Sequence, residues 1–150
     1  MIVQVDWVPQ SQTVHQGYYK EVLTHLRKQV RRRRPEMWKN CSRVLHQDNA
    51  PTHNALSVKA FLTKHKITVL EHPPYSPNLA SSDFCLFPKI KPALKGTRFE
   101  PVDAVKAKAT EVMNELSEDD RQHCFQQWKI HIERCRDRGG EYIEGDISFV

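Results

Sequence analysis

Apolar positions along the chain fall into alternating strand and helix patterns. Residues 2–8 alternate, with Val3, Val5 and Trp7 on one side and Gln4 and Asp6 on the other, which predicts a half-buried strand ended by Pro9. Tyr19, Val22, Leu23, Leu26 and Val30 recur at helical spacing, which predicts a helix over 16–33 stopped by Pro35. A short strand over 43–48 follows, in which His46 and Asp48 share a face because strand side chains alternate. Ala55, Val58, Phe61 and Leu62 then mark a helix to about Lys64, and 67–70 read as the next strand. Strand, helix, strand at this spacing is a βαβ unit with parallel neighbouring strands.

Beyond it the pattern is helical. A Pro-rich connector, 73–77, leads to a helix from about Ser81 that Pro88 and Pro92 should break or kink. Residues 101–116 form an amphipathic helix. Ser117-Glu118-Asp119-Asp120 caps a last helix that runs to Gly139-Gly140. The character changes after Gly96, so the expected division is an α/β part over 1–96 and a helical part over 97–150.

Composition is that of a globular chain. Of the 150 residues, 39% are hydrophobic and 27% charged, and no apolar run is long enough to span a bilayer. The start lacks the features of a signal peptide, so the expected setting is intracellular. The four cysteines show no Cys-x-x-Cys pair and are expected as free thiols.

Charge adds a direction. The net charge is +5, and residues 1–50 hold nine Lys and Arg against four acids. The excess centres on Lys28 and Arg31, Arg32, Arg33 and Arg34, in the last turns of the first helix, where cations suit the helix dipole. The run reads equally as a solvated helix end, a phosphate-contacting patch or a nuclear localisation signal.

The candidate chemistry lies at Asp48 and Asp83. Each stands where an apolar strand-like run passes into a helix, the place at which open α/β sheets collect their sites. Alone, either Asp is more simply a helix cap. His123, Cys124, His131 and Cys135 suggest zinc, but all four fall on one helix without ligand-pair spacing, so core cysteines are the simpler reading. Cys85 lies among Phe84, Leu86 and Phe87 and reads as core rather than nucleophile. Five glycines build no phosphate-binding loop.

The surroundings of the two Asp residues carry a resemblance. His46-x-Asp48-Asn49-Ala50-Pro51-x-His53 and Pro73-Pro74-Tyr75-Ser76-Pro77-x-Leu79-Ala80-x-x-Asp83-Phe84-x-Leu86-Phe87-Pro88, with 34 residues between the acids, resemble the catalytic domain of mariner-type transposases. Gln12-Thr13-Val14, Tyr18-Tyr19-x-Glu21-Val22-Leu23, Arg34-Pro35-Glu36-x-Trp38, Leu94-Lys95-Gly96-x-Arg98-Phe99 and Gly139-Gly140-Glu141-Tyr142 extend the likeness over essentially the whole chain.

The resemblance implies a ribonuclease H-like fold, nuclear location, DNA (transposon terminal repeats) as partner and a possible homodimer, with no membrane. It also implies catalysis by three Asp residues holding two divalent cations, Mg²⁺ or Mn²⁺. Asp48 matches the second Asp and Asp83 the third. Asn78 stands where relatives carry Asp, and Ser81 where they carry Pro. Only 47 residues precede Asp48, too few for the first catalytic Asp, two strands and the helix-turn-helix region. Asp6 lies on a segment that matches a later strand and is not read as the missing ligand.

The expected fold is therefore a truncated ribonuclease H-like α/β domain: a short mixed sheet, a βαβ unit and C-terminal helices. The implied sheet order leaves the Asp48 strand with an open edge, against which residues 2–8 either dock or stay poorly attached. The expected function is a transposase remnant that binds nucleic acid, holds metal weakly and has lost cleavage. The alternatives are a fragment of an active transposase with metal-dependent cleavage and strand transfer, and a domesticated binding module.

Overall fold

In a computed structural model, residues 2–96 and 101–140 are described. Two compact units divide between Pro74 and Tyr75.

The first unit is α/β. Helix α1 (Gln16–Arg33) is opened by His15, whose Nδ1 accepts from the amides of Gly17 and Tyr18. Arg34 closes it, its N–H donating to the Val30 carbonyl, and Pro35 then starts a short helix α2 (Pro35–Lys39). Pro at the first helical position loses no hydrogen bond, so the residue that stops α1 also begins α2. Strand β1 (Val44–His46), helix α3 (Leu56–Lys64) and strand β2 (Thr68–Leu70) form the βαβ unit. The strands are parallel, with Val44 opposite Thr68, Leu45 opposite Val69 and His46 opposite Leu70.

The core of this unit is the fully buried Val58 with Leu23 and Leu62, surrounded by Tyr19, Leu26, Leu45, Phe61, Ile67 and Val69. Leu23 and Leu26 come from one face of α1, Val58 and Leu62 from one face of α3. The helical periodicity read from the sequence is thus the packing face itself.

Two expectations about the sheet are corrected. Residues 2–8 form no strand, and among the described residues the sheet has two parallel strands and is not mixed. The alternation of Val3, Val5 and Trp7 finds no buried face, and Val5, Trp7 and Val8 stay exposed. The segment is held instead by side-chain bonds to α1. Arg33 Nη1 donates to the Ile2 carbonyl at 3.1 Å, and Tyr18 Oη to the Trp7 carbonyl at 3.3 Å. Among the described residues, β1 pairs in the sheet with β2.

The second unit is helical among its described residues. A 3₁₀ turn (Pro77–Leu79) leads into a π-helical turn (Ser82–Leu86), helix α4 (Phe87–Leu94), helix α5 (Val102–Glu115) and helix α6 (Glu118–Asp137). Pro88 falls in the first turn of α4, where it is tolerated, and the helix carries on through Pro92. Ser117 and Asp120 form a reciprocal capping box at α6. Gly139 and Gly140 follow the end of α6 with φ of +67° and +87°, and the Gly140 N–H donates to the Cys135 carbonyl. Those left-handed positions favour glycine. The parts of the family-like motifs at 98–99 and 141–142 lie outside the described residues.

Candidate functional site

Asp48 sits just past the carboxyl end of β1. Its Oδ1 accepts from the Ala50 N–H at 3.1 Å, turning the chain toward α3. The same oxygen lies 2.5 Å from His53 Nδ1, a close approach that is not an aligned hydrogen bond. The carboxylate is nevertheless 60% exposed, so it can reach a ligand from solvent.

A polar cluster surrounds this end of the sheet. Tyr19 Oη donates to Gln47 Oε1 at 2.6 Å, and its ring lies 4.2 Å from that of His53. Burial, and then the charge of Asp48, push the Tyr19 phenol up to about 12. His46 Nε2 and His72 Nδ1 are 3.2 Å apart, joining the ends of β1 and β2. Burial first, then His72, lower the His46 pKa, while Asp48 opposes them. The Asn49 side-chain amide donates to the His72 carbonyl at 2.6 Å. These bonds hold the Asp48-Asn49 turn against the strand that follows α3.

Asp83 lies in the second unit, exposed on the π-helical turn. Its turn is held from beneath by α6. Trp128 Nε1–H donates to the Leu79 carbonyl at 2.8 Å, and His131 Nδ1 lies 2.8 Å from the Asn78 carbonyl. A carbonyl only accepts, so this His131 nitrogen carries the proton. His131 is buried, and its ring meets Phe84 edge-on at 4.7 Å. His131 is thus a structural donor within the core and not a zinc ligand. Asn78, also buried, contributes its backbone to that contact. The anchoring pair Trp128 and His131 carries no catalytic signature in the sequence. Its only trace there is two hydrogen-bonding side chains among the apolar positions of α6.

Hard divalent cations take oxygen donors, and exposed carboxylates suit them. Asp48 and Asp83 fit in chemistry, each within its own unit. Among the described residues, no three His, Cys, Asp or Glu side chains gather into a group able to hold a metal ion.

The basic residues come together at the end of α1 but point several ways. Arg32 Nη2 donates to Gln29 Oε1, Arg33 reaches the Ile2 carbonyl, and Lys28 and Arg34 are exposed. Arg31 turns instead toward Trp38 on α2, with its guanidinium carbon 5.9 Å from the ring centroid; those of Arg27 and Arg43 are at 5.0 Å and 3.9 Å. Sequence reasoning missed this convergence, because Arg27 and Arg43 reach Trp38 only once α1, α2 and β1 pack together.

Comparison with known proteins gives the chain a class, that of transposase catalytic domains. No family model matches the chain. Mariner Mos1 transposase of Drosophila mauritiana is 31% identical over 144 residues, which cover 95% of this chain and 42% of that protein. The human histone-lysine N-methyltransferase SETMAR is 22% identical over 143 residues, 21% of its length. The chain therefore spans less than half the length of either relative. Among solved structures, the crystal structure of the Mos1 catalytic domain superposes with a TM-score of 0.86 at 30% identity, covering 95% of this chain and 70% of that one. The same domain with Raltegravir and Mn also gives 0.86 at 30% identity, with 72% of that chain covered. A Mos1 paired-end complex with the left transposon end gives 0.84 at 29% identity and 41% coverage. The chain belongs to the mariner transposase family and corresponds to its catalytic domain.

Proposed function

We propose that this chain is a ribonuclease H-like remnant of a mariner transposase that binds nucleic acid and does not cleave DNA by itself. One observation carries the reading. Asp48 and Asp83 stand in the two family motifs, while no third acid, His or Cys joins either of them in a metal-holding group among the described residues. Asp48 and Asp83 are the residues that would hold Mg²⁺ or Mn²⁺, weakly. When bound, the metal would activate a nucleophile and offset charge on a phosphodiester. Structures of the Mos1 catalytic domain with Mn and with Mg support that choice of ion. The Mos1 complex with a transposon end supports DNA as the partner, and a nuclear setting and a homodimer belong to the same proposal. Arg31, Arg32, Arg33, Arg34 and Lys28 supply the positive surface for phosphate.

The chain's own residues prepare the site rather than complete it. The Ala50 amide and His53 orient the Asp48 carboxylate through Oδ1. Trp128 and His131 hold the backbone that leads into the Asp83 turn.

The test is Mg²⁺- or Mn²⁺-dependent nicking of DNA bearing mariner terminal repeats. The expected result is DNA binding without turnover above that of Asp48→Ala. Clear turnover abolished by Asp48→Ala would replace this reading with a second one, part of an active transposase that cleaves and transfers strands. A third reading is a domesticated binding module. In that case the chain would bind nucleic acid or protein with no preference for terminal repeats.

A further inference from the structure

Asp120, Cys124, Trp128 and His131 follow one another at helical spacing along one stripe of α6. Each meets a partner from residues 78–89. Asp120 Oδ1 lies 2.5 Å from Lys89 Nζ, Trp128 donates to the Leu79 carbonyl, and His131 Nδ1 donates to the Asn78 carbonyl. The His131 ring also meets Phe84 edge-on. Between the ion pair and the Trp128 bond, the Cys124 side chain is in hydrogen-bonding contact with that of Cys85. The register is fixed on both sides of the two sulfurs, so packing holds them together.

Both thiols are free and half-buried, packed against each other yet within reach of a small solute. Cys85 belongs to the π-helical turn that carries Asp83. Ahead of Asp83 that turn is held through the Asn78 and Leu79 carbonyls. Behind it the Lys89–Asp120 pair is exposed, and exposed ion pairs hold weakly. Among the described residues, the two thiols join no group of three His, Cys, Asp or Glu side chains able to hold a metal ion. Two sulfurs in contact suit a covalent link instead. A disulfide needs them at about 2.05 Å, a short closure from hydrogen-bonding contact.

We propose that Cys85 and Cys124 form a reversible redox site, oxidised to a disulfide by a low-molecular-weight disulfide and reduced again by thiols. The Cys85 sulfur attacks the external disulfide, and one half leaves as a thiol that takes the Cys85 proton. The Cys124 sulfur then attacks Cys85 in the mixed disulfide, and the second half leaves with the Cys124 proton. Two protein thiols are oxidised, and one small disulfide is reduced to two thiols. Burial first, then Cys85, push the Cys124 thiol up to about 12, while the Lys89 charge opposes them. The opening attack therefore falls to Cys85. Contact favours the closing one, because Cys124 already lies beside the mixed disulfide. The new bond ties the Asp83 turn to α6 from its far side. It uses neither metal nor DNA and stands whether or not the chain acts as a transposase.

The experiment equilibrates the full chain with oxidised glutathione, blocks remaining thiols with iodoacetamide and maps the cysteines by proteolysis and mass spectrometry without reduction. The expected product is a Cys85–Cys124 link within one chain, undone by dithiothreitol, with Cys41 and Cys135 left alkylated or glutathionylated. Hydrogen exchange of the amides of 82–86 should slow roughly tenfold in the oxidised chain and recover on reduction. Cys85→Ser and Cys124→Ser should each leave no such link and make that exchange insensitive to the oxidant. Mapping of the unsubstituted chain decides the matter if a variant does not fold. Both thiols left alkylatable, or glutathione retained on either without a link between them, would overturn the proposal. So would a link to Cys41 or Cys135, a link between two chains, or unaltered exchange over 82–86.

Discussion

Asp48 is tied into its surroundings by charge as well as by hydrogen bonds. It accepts from the Ala50 amide, approaches His53 and raises the pKa of Tyr19. The Tyr19 phenol, pushed up to about 12, favours the neutral form more in the folded chain than in the unfolded one, where tyrosine titrates near 10. Its contribution to stability is therefore complete below about pH 10 and is lost as pH rises toward 12. Asp48→Asn keeps the acceptor for the Ala50 amide and removes the charge. The Tyr19 midpoint, followed by phenolate absorbance, should fall in that variant but stay above the ordinary value, because burial is the larger cause. An unmoved midpoint would mean that the carboxylate is not felt at the phenol. Asp48→Ala loses the turn bond as well, and should cost about 1 kcal/mol in urea unfolding relative to Asp48→Asn. Both acids were legible in the sequence from their flanking motifs. Their partners His53, Tyr19 and Gln47 were not assigned there, since neither spacing nor residue type says which side chain bends toward which carboxylate.

Among the elements, α6 shows how local code and tertiary contact combine. Its capping box is local, but Asp120 also meets Lys89 of α4 at 2.5 Å. The Lys89 ammonium first, then the Ser117 hydroxyl and amide, hold the Asp120 carboxyl well below the usual carboxylate range. A depressed carboxyl pKa contributes stability above the unfolded value, near 4, and loses it as pH falls through the folded one. The first turn of α6 should therefore fray in acid only well below pH 4. In Lys89→Ala the Asp120 carboxyl, followed by NMR titration, should titrate closer to the ordinary value. If its titration were the same in both proteins, Lys89 would not be the principal cause. The bounds of α1, and closely those of α5 and α6, agree with the apolar periodicity because long helices repeat their pattern several times. Strands of three residues offer no such redundancy, and β1 proved shorter at both ends than expected. The α2 helix had no periodic signal, since five residues cannot display a helical period, and the helix expected from Ser81 begins as a π-helical turn that periodicity does not distinguish from an α-helix.

On the scale of the whole molecule, positive charge is gathered near the end of α1 but divided between two tasks. Arg27, Arg31 and Arg43 surround Trp38, while Lys28, Arg32 and Arg34 remain available to solvent phosphate. DNA affinity should fall steeply with salt, each phosphate contact adding about 0.9 to the logarithmic slope. Replacing Arg32 and Arg34 by Gln should lower that slope by roughly 2 if each contacts one phosphate. Arg43→Met should leave it unchanged. A slope unaffected by Arg32 and Arg34 would remove the helix end from the DNA surface.

Family and candidate acids followed from the sequence alone, because long motifs and two carboxylates at fixed positions survive wherever the chain is read. The βαβ unit followed too, since its periodicity is local and a strand–helix–strand connection of this length favours parallel pairing. Only the tertiary structure decided the rest. It left residues 2–8 off the sheet, for want of a face to bury their alternating side chains. It made His131 a core hydrogen-bond donor, because the Asn78 carbonyl is buried beside it. It also drew three arginines from α1 and β1 around one tryptophan. Their sequence neighbours do not specify that meeting, which depends on three elements packing into one unit.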